Sequence, residues 1–160
     1  MNNLNMIAAA SRNWGIGKNG DLLFHLKGDM KFFRETTSGN VVVMGRKTLD
    51  SFPGGKPLKN RINIVLTNNA EFERENVITV HNIKELSQKL SEYEDKRIFV
   101  IGGGEIYSLL LPFCTRAYIT RIDADADADT FIHNFDSDSS WQLAGSSEAM
   151  EENSVKYTFT

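Results

Sequence analysis

The sequence predicts an α/β fold with a mostly parallel central sheet, an antiparallel C-terminal edge hairpin and helices on both faces. Short β-branched and apolar runs, such as VVVMG at 41–45, are typical of strands buried on both faces. Amphipathic segments alternate with these runs, which is the pattern of parallel strands joined by helices. Residues 141–160 instead alternate in polarity around a polar turn, which indicates a closing antiparallel hairpin.

The predicted elements follow in order along the chain. Apolar runs predict strands at 6–11, 41–45, 62–67, 76–81, 96–104 and 117–124. Helical spacing of apolar residues predicts helices that begin at 27 or 28 and end at 37, and at 46–52, 82–93 and 105–111. The glycines and asparagine of RNWGIGKNGD, at 12–21, predict a loop between the first strand and the first helix.

Length and composition limit the possible functions. We expect a single domain over 1–160, since 160 residues can bury one sizeable core. The 18 basic and 21 acidic residues are intermixed and give a net charge of -3, so nucleic acid and membrane surfaces are not predicted partners. We expect a cytoplasmic location, because the N-terminal segment lacks a basic region and no apolar run reaches membrane-spanning length. We also expect a monomer.

The cysteine and histidines predict no metal site. A single cysteine, Cys114, excludes an intrachain disulfide and a cysteine-based zinc cluster, and its apolar neighbours favour a buried, inert thiol. The three histidines show no ligand spacing. The acidic loop DADADADT fails as an EF-hand, because Ala128 and Asn134 occupy the positions that need glycine and glutamate.

Two strand-to-helix turns carry the chemistry of phosphate binding. In the first, a buried strand delivers Gly45 and then Arg46, Lys47 and Thr48 at a helix start, where free N–H groups attract anions. A solvent-facing helix start with chance basic residues explains this motif equally well. In the second, Gly102–Gly104 permit either a tight turn or the close approach of a ligand to the backbone. Two such turns suggest a ligand with separated phosphates, such as a dinucleotide carrying an extra phosphate.

Asp29 is the candidate active-site acid. It stands at the start of a predicted helix, where aspartate is favoured as a cap. Apolar residues also surround it in LLFHLKGDMKFF, so it equally fits a lone carboxylate on the wall of a pocket. Such a group suits an amidine-like N–C–NH2 edge through paired hydrogen bonds. Composition and spacing leave both interpretations open.

The chain resembles the dihydrofolate reductase family along almost its whole length. The resemblance is carried by six blocks in the family's order: IAAASRNWGIGKNGDL, LKGDMKFF, VVVMGRKTLDSF, PLKNRINIVLT, RIFVIGGGEIY and YITRIDADADADT. It implies NADPH-dependent reduction of dihydrofolate, a small-molecule substrate. Hydride would pass to C6, and N5 would take its proton from solvent, since no residue near N5 is an obvious donor.

The resemblance also implies catalytic and substrate-binding residues. Asp29 matches the acid that binds the pterin 2-amino group and N3, and Thr120 matches the hydroxyl that supports it. Leu22 and Tyr107 complete the implied catalytic group. The implied substrate walls are Ile7, Ala8, Ala9, Phe24, Met30, Phe33, Phe52, Leu58 and Ile101. Arg61 matches the arginine that pairs with the α-carboxylate of the glutamate tail, a task suited to a planar guanidinium.

The implied cofactor is NADPH, held along both phosphate turns. The implied cofactor residues are Ala9, Ile16, Gly45, Arg46, Lys47, Thr48, Leu66, Thr67, Asn68, Gly102, Gly103, Gly104, Glu105, Ile106, Tyr107 and Thr130. In the family, a cis peptide joins the first two glycines of the triplet. RNWGIGKNGDL matches a mobile loop that closes over the nicotinamide. Asp129 matches the aspartate that braces this loop when it is closed.

The sequence departs from the family pattern at several positions. Phe24 stands where the family usually has tryptophan, so the indole N–H is lost. Lys27 replaces a proline that often precedes the acid, Ala128 replaces a loop glycine, and Glu105 replaces an arginine found in some relatives. Two rival functions stay open on this basis. One is a related pterin or pyrimidine reductase, and the other is an NADPH-binding protein without turnover.

Overall fold

The computed structural model describes residues 1–160, in eleven β-strands and four α-helices. The strands are β1 (Leu4–Ala10), β2 (Gly15–Lys18), β3 (Asp21–Leu22), β4 (Val41–Gly45), β5 (Ile62–Leu66), β6 (Ile78–Val80), β7 (Ile98–Gly102), β8 (Cys114–Ile122), β9 (Thr130–Phe131), β10 (Met150–Glu152) and β11 (Val155–Phe159). The helices are α1 (Lys27–Thr37), α2 (Arg46–Ser51), α3 (Ile83–Leu90) and α4 (Gly104–Leu110). Short 3₁₀ turns follow α2, α3 and α4.

The central sheet has eight strands in the order β10-β11-β8-β1-β7-β4-β5-β6. Every neighbouring pair from β8 to β6 is parallel. The remaining pairs, β8 with β11 and β11 with β10, are antiparallel. The predicted sheet, mostly parallel with an antiparallel C-terminal edge, is confirmed.

The alternation of side chains along β4 explains why helices cover both faces. Val41 and Val43 belong to a core cluster that also contains Leu86 of α3 and Leu110 of α4. Val42 and Met44 point the other way, into a second cluster with Leu49 of α2. Phe32 and Phe33 of α1 pack against this second cluster. Because successive strand residues face opposite sides, a continuous apolar run requires cover on both.

The register of β8 positions its side chains beside β1 and the C-terminal hairpin. Thr120 pairs with Ala9 of β1 on one side and with Phe159 of β11 on the other. Thr120 is therefore an interior position of the sheet, and its side chain is only 2% exposed. A hydroxyl at such a position needs a hydrogen-bond partner nearby.

The structure differs from the predicted elements mainly in the first loop and at strand ends. The segment predicted as a loop at 12–21 contains β2 and the start of β3, which form a separate three-stranded sheet with β9. The first strand begins at Leu4, before the apolar run, because Leu4 and Asn5 pair with β8. The C-terminal hairpin is short, with Asn153 and Ser154 both at positive φ in its turn. Two positive-φ residues are typical of a tight hairpin turn.

Further observations concern the cysteine, groups of metal-ligating side chains and the helices. Cys114 is buried, and burial raises the pKa of its thiol to about 11, as expected for an inert cysteine. No group of three histidine, cysteine or acidic side chains lies close enough to hold a metal ion. None of the four helices combines the length and apolar character needed to cross a bilayer.

Candidate active site

The candidate site lies at the edge of the sheet where the parallel strands end. β1, β4, β5 and β7 are parallel, so their carboxyl ends, at Ala10, Gly45, Leu66 and Gly102, share one edge. Both predicted phosphate turns leave from this edge, after β4 and β7. Ligands of open α/β sheets bind at this edge, so the topology brings the two turns to the expected place.

Asp29 is half-buried at the start of α1 and does not cap its helix. It is the third residue of α1, whose N-cap is Leu26, and no side chain of the cap bonds to the helix. Asp29 Oδ1 instead accepts a hydrogen bond of 2.6 Å from Thr120 Oγ1. The two residues are far apart in sequence and meet because α1 packs over β8 and β11 beside β1. The predicted pairing of Asp29 with Thr120 is therefore present.

Burial and this hydrogen bond act in opposite directions on Asp29. Burial raises the pKa of the Asp29 carboxyl, while the Thr120 hydroxyl, which bonds to the ionised form, lowers it. Tyr107 is buried as well, and its hydroxyl donates to the Ile7 carbonyl oxygen at 2.7 Å. Burial and then the nearby negative charge of Asp29 raise the pKa of Tyr107. Burial and the Asp29 charge together therefore keep the Tyr107 hydroxyl protonated.

The apolar side chains that the resemblance assigns to the substrate walls differ in their exposure and packing. Met30 follows Asp29 on α1 and is 43% exposed, and Leu22 on β3 is 53% exposed. Such exposed large apolar side chains are typical of the walls of a ligand cleft. The side chains of Ile7, Phe33, Phe52, Leu58 and Ile101 belong to or pack against one core cluster. Ala9 and Phe24 pack against another cluster, and Ala8 against the third.

Arg61 stands at one end of these apolar walls. Its guanidinium lies 6.0 Å from the ring centroid of Phe33 and donates to Thr37 Oγ1 at 3.1 Å and to the Lys59 carbonyl oxygen at 2.9 Å. Arg61 forms no ion pair with a carboxylate of the chain. Burial and the neighbouring Arg34 lower its pKa, so a ligand carboxylate would meet a locally positive surface.

The glycine turn after β7 lies close to side chains of neighbouring elements. The Gly102–Gly103 peptide is cis, as the resemblance implied, and Gly102 has a φ of 125° that favours glycine. A Cβ on either residue would lie 3.5 Å from Thr48 Oγ1. A Cβ on Gly104 would lie 2.7 Å from Thr130 Cγ2. The structure thus brings the glycine turn, Thr48 and Thr130 together.

The turn after β4 leads into α2, and the predicted cations are the first two residues of this helix. Gly45 is the N-cap and offers no side chain, so the first N–H groups of α2 have no side-chain partner. Arg46 lies 3.5 Å from Asp50 and 5.1 Å from the Phe72 ring centroid. Lys47 is exposed and forms no ion pair within the chain. Lys47 is thus the cation at this helix start that has no acidic partner in the chain, whereas Arg46 lies beside Asp50.

The other predicted cofactor residues lie around the same edge. Ile106 approaches Gly45, with its Cγ1 3.0 Å from the position of a Gly45 Cβ. Ile16 packs against the larger core cluster, and Thr67 accepts a bond of 3.2 Å from the Asn69 N–H through its hydroxyl. Asn68 and Glu105 are exposed. Leu66 differs from the rest, because its side chain is only 7% exposed and packs within the core.

The loop between β1 and α1 is bound to the acidic loop. Asn19 N–H donates to Asp129 Oδ2 at 2.9 Å, which is the brace that the resemblance implied. This N–H and the Thr130 hydroxyl hold the pKa of Asp129 below its usual range. Lys18 pairs with Asp127, and Arg12 pairs with Asp123 at 2.8 Å. These contacts give the acidic loop a structural role, which is to hold the loop between β1 and α1.

Two residues that position this loop were not identified from the sequence. Ser11 is fully buried, and its Oγ accepts from the Gly15 N–H at 3.0 Å. Arg121 donates to the Ser11 carbonyl oxygen at 3.0 Å, and its guanidinium lies 3.6 Å from the Trp14 ring centroid. Arg121 directly follows Thr120, and this adjacency was the one available signal. Both residues tie the loop to the strands that carry the site.

The structure also locates the departures from the family pattern. Phe24 packs against the cluster formed by Leu26, Ile122 and Tyr157, so an apolar ring suits its surroundings. Ala128 has no positive φ, so the strain considered for alanine there does not arise. A Cβ on Gly15 would lie 2.6 Å from the Ala128 Cβ, and the glycine therefore accommodates the alanine.

Comparisons with known proteins agree with this geometry. The family model described as Dihydrofolate reductase matches residues 3–160. A dihydrofolate reductase of Bacillus subtilis is 35% identical over 156 residues, which covers 98% of this chain and 90% of that protein. A dihydrofolate reductase of Haemophilus influenzae is 38% identical over 127 residues, covering 79% of this chain and 76% of that protein.

Longer relatives match in one part only. A bifunctional dihydrofolate reductase-thymidylate synthase of Daucus carota is 38% identical over 175 residues, which covers 97% of this chain. The chain spans 32% of the length of that protein, and 33% of a similar one from Arabidopsis thaliana. The family model and the bacterial relatives, which match nearly end to end, show that the chain belongs to the dihydrofolate reductase family.

Proposed function

We propose that this protein reduces 7,8-dihydrofolate to 5,6,7,8-tetrahydrofolate, with NADPH as the hydride donor. The observation that carries the proposal is the half-buried Asp29, hydrogen-bonded to Thr120 at the carboxyl edge of the sheet and flanked by apolar walls. An ionised carboxylate there can accept two parallel N–H bonds from the N–C–NH2 edge of a pterin. Family membership supports the same reaction.

The roles of the chain are binding, orientation and exclusion of water. Asp29 would hold the pterin ring, and Met30, Phe33, Phe52 and Leu58 would hold the aromatic ring that follows it. Arg61 would pair with the terminal carboxylate. We assign no side chain as the direct donor of the N5 proton and propose that solvent delivers it. Such positioning is sufficient, because the cofactor carries the difficult chemistry.

The residues around the glycine turn fit a phosphorylated dinucleotide. Gly102 and Gly103 leave backbone uncovered beside the Thr48 hydroxyl, which a side chain would partly fill. Arg46 and Lys47 supply positive charge beside the free N–H groups at the start of α2. NADPH supplies the hydride when it is bound. The preference for NADPH over NADH rests on Thr67 and Asn68, which the family resemblance assigns to the adenosine 2′-phosphate.

The direct test is oxidation of NADPH by purified protein with dihydrofolate, compared with the Asp29→Asn variant. We expect turnover in the protein and a loss of about a hundredfold in kcat/KM in the variant, the order expected when a paired, charge-assisted bond is lost. NADPH binding, followed by protein fluorescence, should persist in both. NADPH binding without turnover in either protein would overturn the proposal.

Two matched assays test the finer parts of the proposal. NADH in place of NADPH should support turnover at a higher KM, and equal KM values would contradict the assignment of Thr67 and Asn68. Kinetics with a pterin that lacks the benzoylglutamate tail report on the substrate assignment. A single domain over 1–160, a monomeric state and a cytoplasmic location stay predictions from the sequence.

A further inference from the structure

A carboxylate from the far end of the chain caps the helix that carries Asp29. Glu152, the last residue of β10, accepts from the Lys27 N–H at 2.7 Å through Oε2 and from the Gly28 N–H at 3.2 Å through Oε1. The N-cap residue, Leu26, contributes no side-chain bond. One carboxylate therefore satisfies two of the N–H groups that every helix leaves free at its start.

This contact controls the backbone immediately before the active-site acid. Lys27 and Gly28 are the first two residues of α1, and Asp29 is the third. The N–H of Met30, directly after Asp29, is the first that bonds within the helix, to the Leu26 carbonyl oxygen at 2.9 Å. The direction of the Asp29 side chain therefore depends on a turn whose outer N–H groups are held by Glu152. A negative charge at this end also suits the helix dipole.

The same hairpin touches the turn a second time. Tyr157 of β11 lies against Gly28 so closely that a Cβ there would collide with the Tyr157 hydroxyl. Glu152 and Tyr157 thus hold the first turn from two adjacent strands. Three titratable groups face Asp29 or its turn: Glu152, Tyr157 and Tyr107. Burial, followed by the charges of Glu152 and Asp29, raises the pKa of Tyr157.

We propose that Glu152 is a positioning residue for Asp29, which aligns the acid with Thr120 and with the substrate by holding the first turn of α1. The inference rests on the proposed reductase function. The hydrogen bond from Thr120 spans only 2.6 Å, so a small shift of the turn weakens it. The C-terminal hairpin is in this way part of the active-site scaffold.

The backbone conformation of Leu26 suggests a substitution that should compensate for the loss of Glu152. Leu26 is extended, with φ -102° and ψ 119°, which is the conformation required before proline. Proline is favoured at the first helical position and has no N–H to satisfy. Lys27→Pro should therefore restore the turn in a chain that lacks Glu152. In the chain that retains Glu152, the same change only removes one of its two bonds.

The experiment compares Glu152→Ala, the double variant Lys27→Pro/Glu152→Ala, and Glu151→Ala as a matched control. Glu151 is the neighbouring exposed carboxylate of β10 and bonds to nothing in α1. For Glu152→Ala we expect kcat/KM for dihydrofolate to fall about tenfold, as for one lost charge-assisted bond. The loss should lie mainly in KM, with the NADPH dissociation constant unchanged. The double variant should recover most of it, and Glu151→Ala should lose nothing.

A titration without substrate separates this inference from the proposed function. The ¹³Cγ chemical shift of Asp29 should titrate at a higher pH in Glu152→Ala, because the Thr120 bond that lowers its pKa is weakened. An unchanged titration, or a loss that Lys27→Pro does not recover, would overturn the positioning role. Absence of turnover in the unmodified protein would overturn the proposed function instead, and the titration would still test Glu152.

Discussion

Thr120 Oγ1 donates a hydrogen bond of 2.6 Å to Asp29 Oδ1 and joins the interior of the sheet to the first turn of α1. The acceptor is a carboxylate whose burial raises its pKa, and the donor is a nearly inaccessible hydroxyl. The bond offsets part of the cost of burying the charge. It also fixes which way the carboxylate faces. Thr120 therefore affects both the protonation and the direction of the acid.

Replacing Thr120 with valine should move the pH dependence of the reaction. The Thr120 bond lowers the pKa of Asp29, so Thr120→Val should raise it further, and protonated Asp29 should bind the pterin poorly. We expect the limb of the kcat/KM profile that reports Asp29 to move to higher pH. The loss should be about threefold to tenfold on that limb, as for one hydrogen bond to a charged group, and should shrink as pH rises.

Thr120→Ser is the matched control, since it keeps the hydroxyl and removes only the methyl group. Its pH profile should follow that of the unmodified protein. The role assigned to the hydroxyl is wrong if valine and serine give superimposable profiles. A uniform loss at every pH would instead indicate a packing defect.

Removing the charge of Asp29 should stabilise the fold. A carboxyl whose pKa is raised by folding favours the folded state most when it is protonated, at pH values below its unfolded pKa. This contribution is lost as pH rises through the raised pKa of the folded state. At neutral pH, Asp29→Asn should therefore raise Tm by about 2–4 °C while it lowers kcat/KM about a hundredfold. Thermal unfolding measured from acidic to neutral pH should show the difference growing with pH, and a variant less stable at neutral pH would contradict this.

The sequence predicted the central sheet because its signals are local and strong. The run VVVMG is apolar throughout and became β4 with the predicted boundaries. The small sheet of β2, β3 and β9 was missed because its strands have only two to four residues, and because β9 joins β2 through distant pairing, as between Gly17 and Thr130. Strands that short carry no periodicity of their own.

In the candidate site, too, residues with local sequence signals were predicted and those that depend on distant contacts were not. Asp29 and Arg61 were found because family motifs surround them. Glu152 was missed because EENS reads as a polar turn, and nothing near it in sequence points to Lys27. Its role depends on a contact between residues more than a hundred positions apart, which only the folded chain brings together.

Arg61 should discriminate between substrates with and without a carboxylate tail. Its guanidinium has no acidic partner in the chain and lies 6.0 Å from the Phe33 ring centroid, so a ligand carboxylate is the expected partner. Arg61→Ala should raise KM for dihydrofolate about tenfold or more. It should leave kinetics with a tailless pterin unchanged.

Two controls make the Arg61 comparison specific. Arg34→Ala removes a neighbouring cation of α1, and it should have a much smaller effect if the pairing is direct. Arg61→Lys retains charge but loses the planar fork, so it should recover only part of the affinity. An equal rise in KM for both pterins would favour the rival interpretation, a reductase that does not bind the carboxylate tail of its substrate.

Gly104 and Thr130 should behave as a coupled pair in cofactor binding. A Cβ on Gly104 would lie 2.7 Å from Thr130 Cγ2, and Gly104 starts α4 directly after the cis peptide. Gly104→Ala should therefore displace the glycine turn or β9 and weaken NADPH binding by about tenfold, the order of a packing clash of this kind. Titration of protein fluorescence with NADPH measures the dissociation constant.

The double variant Gly104→Ala/Thr130→Ser decides whether the clash is the cause. Serine removes Cγ2 but keeps the hydroxyl that donates to Asp129, so it makes room for the new methyl group without releasing the loop. NADPH affinity should return to within about threefold of the original value. Gly145→Ala, at a glycine with no atom near its missing Cβ, should change nothing. If serine does not restore the affinity, the methyl group added at position 104 must block the cofactor directly. Gly104 would then be needed for contact with the cofactor itself.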